Sequence, residues 1–167
     1  ARSAAGPLRV SRVPGGYAVE LPARPGRAVP VSPALEDALA APVLTCVLAD
    51  YRMAVLSDEA AVQSLSPDME WIAAQPELGL IVTAAGDHTD FVSRFFAPGA
   101  GVPEDPVTGS AHCTLVPYWA KRLGKDQLSA RQLSARGGVL DCVDLVDRVR
   151  LAGAVRPYLR GEITLPV

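Results

Sequence analysis

The chain has 167 residues, 49% hydrophobic and 20% charged, with a formal net charge of -2. That length suits one ordinary domain with a substantial core and would cramp a second, while the apolar content excludes wholesale disorder. No apolar run approaches the ~20 residues of a bilayer-spanning helix, and scattered Lys and Arg give no basic footprint for nucleic acid, so neither membrane nor nucleic acid is an expected partner.

Cys46, Cys113 and Cys142 lie far apart without a C-x-x-C pair and are expected to be reduced, partly buried thiols of a cytoplasmic protein. His88 and His112 share no ligand-like spacing with them, so no metal is expected. The opening ARSAAGPLRV has no charged region followed by an apolar stretch, so no secretory signal is expected, and it lacks an initiator methionine, as expected of a processed, trimmed or excised piece.

In chain order, LRVSRV and YAVELP flank Pro14-Gly15-Gly16 and predict a hairpin. RPGRAVPVSP reads as a proline-rich connector, whose Ser32-Pro33 step opens a short helix through Ala40. VLTCVLAD and MAVLS read as strands. Ser57 is the expected cap of DEAAVQSL, and Ser66-Pro67 the expected start of a helix carrying Trp71 and Ile72 inward. LGLIVTAA and DFVSRFFAP are the clearest strands, the first a continuous apolar run suited to a central position.

A helix is predicted from about Ser110 to Leu123, ended by Gly124 and interrupted or kinked at Pro117. Its buried stripe would be Leu115, Trp119 and Leu123. QLSARQLSA, GVLDCV, DRVRLAG and GEITLPV follow as closely spaced β-prone runs that favour antiparallel pairing. The fold class is α+β: one domain over 1-167, a curved, mostly antiparallel sheet around a central helix.

The chemistry concentrates in Glu104-Asp105-Pro106-Val107-Thr108-Gly109-Ser110-Ala111-His112. The amides of Gly109, Ser110 and Ala111 fall in the first helical turn, where donors lack intrahelical partners and the macrodipole favours an anion. The Ser110 hydroxyl adds a rotatable donor, and Pro106 fixes the approach of Asp105. A carboxylate beside an anion site suits a small amino acid or hydroxy acid. Spacing alone leaves a plainer reading open, in which Thr108 or Ser110 is an ordinary N-cap and the two acids merely complement the dipole. His112 and Cys113 read more simply as packed helix residues, and Arg94 as a surface arginine within reach of the site.

The run SRFFAPGAGVPEDPVTGSAHCTLVPYWAKRLGK, followed by LSARQLSARGGVL and DRVRLAG, resembles the C-terminal half of the phenazine-biosynthesis (PhzF-like) isomerase family, a branch of the diaminopimelate-epimerase-like fold. The resemblance implies a cofactor-independent isomerase or epimerase of two similar halves that moves a proton on a small acid. It places Asp105, Gly109 and Ser110 at the substrate; Asp105 is the expected catalytic residue, and Gly109, Ser110, Thr108 and Ala111 are the expected substrate-binding residues. Thiol-dependent relatives carry C-G-T-G at this helix start; Thr108 stands at the cysteine, so two-thiol racemisation is not supported.

The family's proton-transferring glutamate, near a G-N-P segment, and its G-H-A-T-like helix start have no match here; Glu20, Glu36, Glu59, Glu70 and Glu77 lie in unrelated contexts. The chain alone is therefore expected to be inactive. Its expected partners are a small carboxylate-bearing substrate and a complementary N-terminal half bearing the glutamate, or further copies of itself. A non-catalytic small-acid binding module, or an interaction subunit completing another polypeptide's site, is the alternative.

Overall fold

Apolar side chains alternate between the two sides of the central strands, so their sheet must be covered on both faces. A computed structural model describes residues 2-3, 6-156, 158-159 and 161-162, with side chains from Leu8 onward. The short strands β1 (Arg2–Ser3) and β2 (Gly6–Pro7) pair only with each other. They are followed by β3 (Arg9–Val13), β4 (Gly16–Pro22), β5 (Arg27–Val29), α1 (Pro33–Leu39), β6 (Thr45–Leu48) and β7 (Arg52–Val55). Next come α2 (Glu59–Ser64), α3 (Met69–Ala73), β8 (Leu80–Ala85), β9 (Phe91–Ala97), a 3-10 turn (Pro98–Ala100) and β10 (Val102–Glu104). The long helix α4 (Gly109–Leu123) precedes β11 (Gln127–Gln132), β12 (Gly138–Asp144) and β13 (Arg148–Ala154).

The main sheet runs β3-β4-β13-β12-β11-β9-β8-β7-β6-β5, with β10 added to β9. Pairing is antiparallel except for β7 with β8 and β9 with β11. The sheet is open, with β3 and β5 at its ends, and the class is α+β as expected. The β3–β4 hairpin forms as predicted, and β8 is central. GEITLPV lies largely outside the described residues.

One face carries α1, α2 and α3 over Cys46, Ala54, Val82, Val92 and Phe96. The other carries α4. Leu115, Val116 and Trp119 share a core with Val47, Met53, Ile81, Phe91, Leu128, Cys142 and Leu151, with Val19 and Leu21 packed against it. Those residues come from strands stretching from β4 to β6. Strands lie ~4.8 Å apart and a helix is only ~10–12 Å wide; one helix meets so many strands because the sheet curves around it. Trp119 stacks on Phe91 at 5.9 Å and donates its Nε1–H to Thr83 Oγ1 at 3.0 Å, pinning the helix to β8 and β9.

Several local expectations change. Helix α4 continues through Pro117, because the Cys113 carbonyl, deprived of the Pro117 N–H, accepts from the Arg24 N–H at 2.8 Å. Thr114 Oγ1 also donates to the Arg24 carbonyl at 3.0 Å, tying β4's exit to the helix. Leu123 is 41% exposed rather than part of the buried stripe. Asp58, not Ser57, caps α2 by accepting from the Ala61 N–H, and Ser57 donates to it. Asp68, not Ser66, caps α3. Ser32 caps α1 as expected, and Gly124 ends α4 at φ 68°.

Candidate functional site

The loop into α4 is anchored before it reaches the helix. Gly101, at φ 79°, closes the 3-10 turn, and β10 pairs with β9 through a register shift between Val102 and Glu104. Such an irregularity re-aims side chains. Glu104 forms a two-pronged ion pair with Arg94 at 2.7 and 2.9 Å. Arg94 also donates to the carbonyls of Val62 and Leu65 and lies over the Phe96 ring, on the α2 side of the sheet. Arg94 therefore does not reach the start of α4, and Glu104 is committed to it.

Asp105 turns the other way. Its amide donates to the Phe95 carbonyl at 3.0 Å, and its Oδ2 accepts from Thr108 Oγ1 at 2.5 Å. Oδ1 has no partner among the described residues. Thr108 occupies the N-cap position with an extended φ of -111°, yet its hydroxyl makes no cap bond; it donates to Asp105 and accepts from Gln132. The side chain is buried, which leaves Thr108 beneath the site rather than on its surface.

With Thr108 turned away, the amides of Gly109, Ser110 and Ala111 find no acceptor among the described residues. Ser110 is exposed, and its hydroxyl lies 3.2 Å from the Tyr51 hydroxyl. Ala111 buries its methyl group and contributes only its amide. The structure thus brings Asp105, Thr108, Gly109, Ser110 and Ala111 together at one helix start. Gly109 and Val107 also line a cavity of about 520 Å³ bordered by Tyr17, Arg136, Val139, Leu151 and Val155; Asp105 and Ser110 are not part of its lining.

Gln132 was not singled out by the sequence. It is fully buried on β11, accepts from the Thr108 N–H at 2.8 Å, and donates to the Asp105 carbonyl at 2.7 Å and to Thr108 Oγ1 at 3.1 Å. Tyr51 was likewise missed. Neither contact has a local signal, since Gln132 acts across 24 residues and Tyr51 across 59.

His112 is fully buried beneath the helix start, with Nδ1 2.7 Å from the Thr108 carbonyl and Nε2 without a partner among the described residues. A carbonyl only accepts, so Nδ1 carries the proton. Burial holds this imidazole below its ordinary pKa and outweighs the opposing bond to Thr108, keeping it neutral. Burial also pushes the Cys113 thiol up to about 11 and Cys142 to about 12. All three cysteines are free and buried. Cys113 is therefore unsuited as a thiolate nucleophile. Among the described residues no group of three His, Cys, Asp or Glu side chains could hold a metal, and no helix is long and apolar enough to cross a membrane.

Comparison with known proteins identifies the family. An uncharacterized isomerase of Pseudomonas aeruginosa is 46% identical over 164 residues, covering 98% of this chain and 63% of the relative. A second from the same organism is 40% identical, covering 96% and 62%. The chain therefore spans less than two thirds of the length of these relatives. The crystal structure of a PhzF-family phenazine biosynthesis protein from Enterococcus faecalis superposes with a TM-score of 0.89 at 40% identity, covering 96% of this chain and 62% of that one. A putative PhzC/PhzF protein from Clostridium difficile gives 0.85 at 33% identity, with the same coverage. The model of the phenazine biosynthesis-like protein (PhzC-PhzF) family matches residues 33-156, and the chain belongs to that family.

Proposed function

We propose that this chain is the acid-binding part of a cofactor-independent isomerase that moves a proton on a small amino-acid-like or hydroxy acid. The observation that carries this reading is the pairing of Asp105, one of whose carboxylate oxygens has no partner among the described residues, with three adjacent first-turn amides that likewise find no acceptor among them. A substrate carboxylate would bind at Gly109, Ser110 and Ala111, where N–H groups and the helix dipole favour negative charge. The same donors would stabilise the charge that develops when a neighbouring C–H loses its proton. Glycine at 109 fits this role: a Cβ there would meet nothing closer than Leu21 Cδ1 at 3.6 Å, so packing within the chain does not demand its absence.

Asp105 would accept from the substrate's ammonium or hydroxyl, or help carry the proton. Thr108 would hold Asp105 in place. The naming of both Pseudomonas relatives as isomerases supports the reaction class. Proton transfer still needs a second group, assigned here to a glutamate on a complementary segment of the kind the longer relatives have room for. Tyr17, Val139 and Val155 are 40%, 63% and 51% exposed around the cavity that reaches Gly109. Exposed apolar side chains at that mouth suit a protein segment packing there. A panel of small amino and hydroxy acids, incubated in D₂O with the assembled protein, tests the reading. Deuterium should enter at a carbon near the carboxylate, and substitution of Asp105 should suppress it. Incorporation that ignores Asp105 would refute the assignment.

A further inference from the structure

We propose that Gln132 is a positioning residue that holds the Thr108 hydroxyl as the donor to Asp105, so that Asp105 is presented to the ligand in a fixed orientation. This rests on the assignment of Asp105 to the site. The direction of every bond in the chain follows from chemistry that permits one choice at each step. The Thr108 N–H can only donate, so the Gln132 atom 2.8 Å away is Oε1. The other end is therefore Nε2. It faces the Asp105 carbonyl at 2.7 Å, which can only accept, so both ends of the amide agree on one orientation.

One Nε2 hydrogen goes to that carbonyl and the second to Thr108 Oγ1 at 3.1 Å. A hydroxyl that accepts from Gln132 must direct its own proton elsewhere, and the acceptor in reach is Asp105 Oδ2 at 2.5 Å. Gln132 thus occupies one lone pair of Oγ1 and holds the hydroxyl where its proton meets Oδ2, which as a carboxylate oxygen accepts. It also occupies the Thr108 N–H and the Asp105 carbonyl, gripping the loop on both sides of Pro106. Complete burial makes each of these bonds costly to leave unmade.

The same device stops Thr108 from capping its own helix. A free threonine at the N-cap would turn its oxygen toward the N2 or N3 amide; here the oxygen is held toward Gln132 and Asp105, and the amides of Ser110 and Ala111 stay open. One buried amide therefore sets both halves of the site, the acceptor on Asp105 and the unoccupied donors on α4. Its place comes from the sheet: Gln132 pairs in register with Ser93 where β11 runs parallel to β9, and Asp105 hangs from Phe95 on the same strand.

The test compares Gln132→Glu, Gln132→Met, Thr108→Ser and Thr108→Val. In the chain itself, proton NMR should show a slowly exchanging Thr108 hydroxyl with an Overhauser contact to the Gln132 side-chain amide. Thr108→Ser should retain a corresponding signal. Gln132→Met should lose it, since methionine cannot donate to Oγ1, and Gln132→Glu should lose the contact to a side-chain amide. In the assembled protein, both Gln132 substitutions should lower kcat for C–H exchange at least fivefold, and Gln132→Met combined with Thr108→Val should be no worse than the more damaging single change.

Wild-type hydroxyl signals and rates in a folded Gln132 variant would overturn the proposal, as would a fall in Tm with kcat and KM unchanged. If both Gln132 variants fail to fold, the threonine pair decides: Thr108→Ser must preserve the rate better than Thr108→Val, and equal rates would overturn the relay. Failure of the site reading looks different. Asp105→Asn would then leave exchange intact while the Thr108 hydroxyl signal still responded to Gln132.

Discussion

Glu104 and Asp105 are chain neighbours whose carboxylates serve opposite faces of the sheet, Glu104 paired with Arg94 toward α2 and Asp105 bonded to Thr108 at the start of α4. Their substitutions should separate accordingly. In the assembled protein, Asp105→Asn should slow C–H exchange at least tenfold, about 1.4 kcal/mol of transition-state stabilisation, with the fold retained. Glu104→Gln should leave the rate within about twofold and instead reduce stability by about 1–3 kcal/mol, because the half-buried Arg94 loses its charge partner. Exchange rates and urea denaturation of both variants check this. Equal loss of rate from the two would contradict it.

The open amides at the start of α4 predict selective anion binding. Titrating the chain with sulfate or a small carboxylate should move the amide resonances of Gly109, Ser110 and Ala111 together and saturably. Ser110→Ala should weaken the response without abolishing it, since the backbone donors remain. Shifts spread over the surface without saturation would show that these amides hold no site.

Burial of His112 makes stability depend on pH in a defined direction. The unfolded imidazole gains a proton near pH ~6.5, whereas the folded one, depressed by burial, does not. The unfolded state therefore binds more protons in this window, and folded-state stability falls as pH drops below ~6.5 toward the folded pKa, by up to about 1.4 kcal/mol per pH unit. Above ~6.5 this contribution is constant. Urea melts between about pH 5 and 7 should show the slope, and His112→Asn should remove it. Should that variant not fold, imidazole NMR should show His112 titrating below the ordinary value of ~6.5 in the wild type. A His112 titrating at or above that value would contradict the reading.

The fold was legible where pattern dictates burial. LGLIVTAA has no polar face, and β8 lies in the middle of the sheet covered on both sides. The Gly109–Leu123 helix was legible from the glycines near its ends. What escaped depends on partners distant in sequence. Arg27–Val29 lies in a proline-rich stretch and becomes a strand only because β6 offers an edge. Pro117 reads as a helix breaker, yet Arg24, 89 positions upstream of Cys113, supplies the donor that the Cys113 carbonyl lacks. Caps chosen between a serine and an aspartate one or two positions on went to the aspartates, whose charge also suits the dipole. Asp105, Gly109 and Ser110 were legible because motif and helix start coincide. Gln132 was not, because nothing in LSARQLSARGG distinguishes an inward glutamine from a solvated one.

Hydrogen-isotope exchange by reconstituted halves tests the central claim most directly. The purified chain, a separately prepared glutamate-bearing segment and their mixture would be incubated in D₂O with small amino and hydroxy acids, following deuterium content and particle mass together. Neither part alone should exchange any substrate C–H, while the mixture should form a complex that does, and Asp105→Asn in that complex should suppress exchange. Exchange by the rigorously purified chain alone, or a stable complex that exchanges no acid in the panel, would contradict the account.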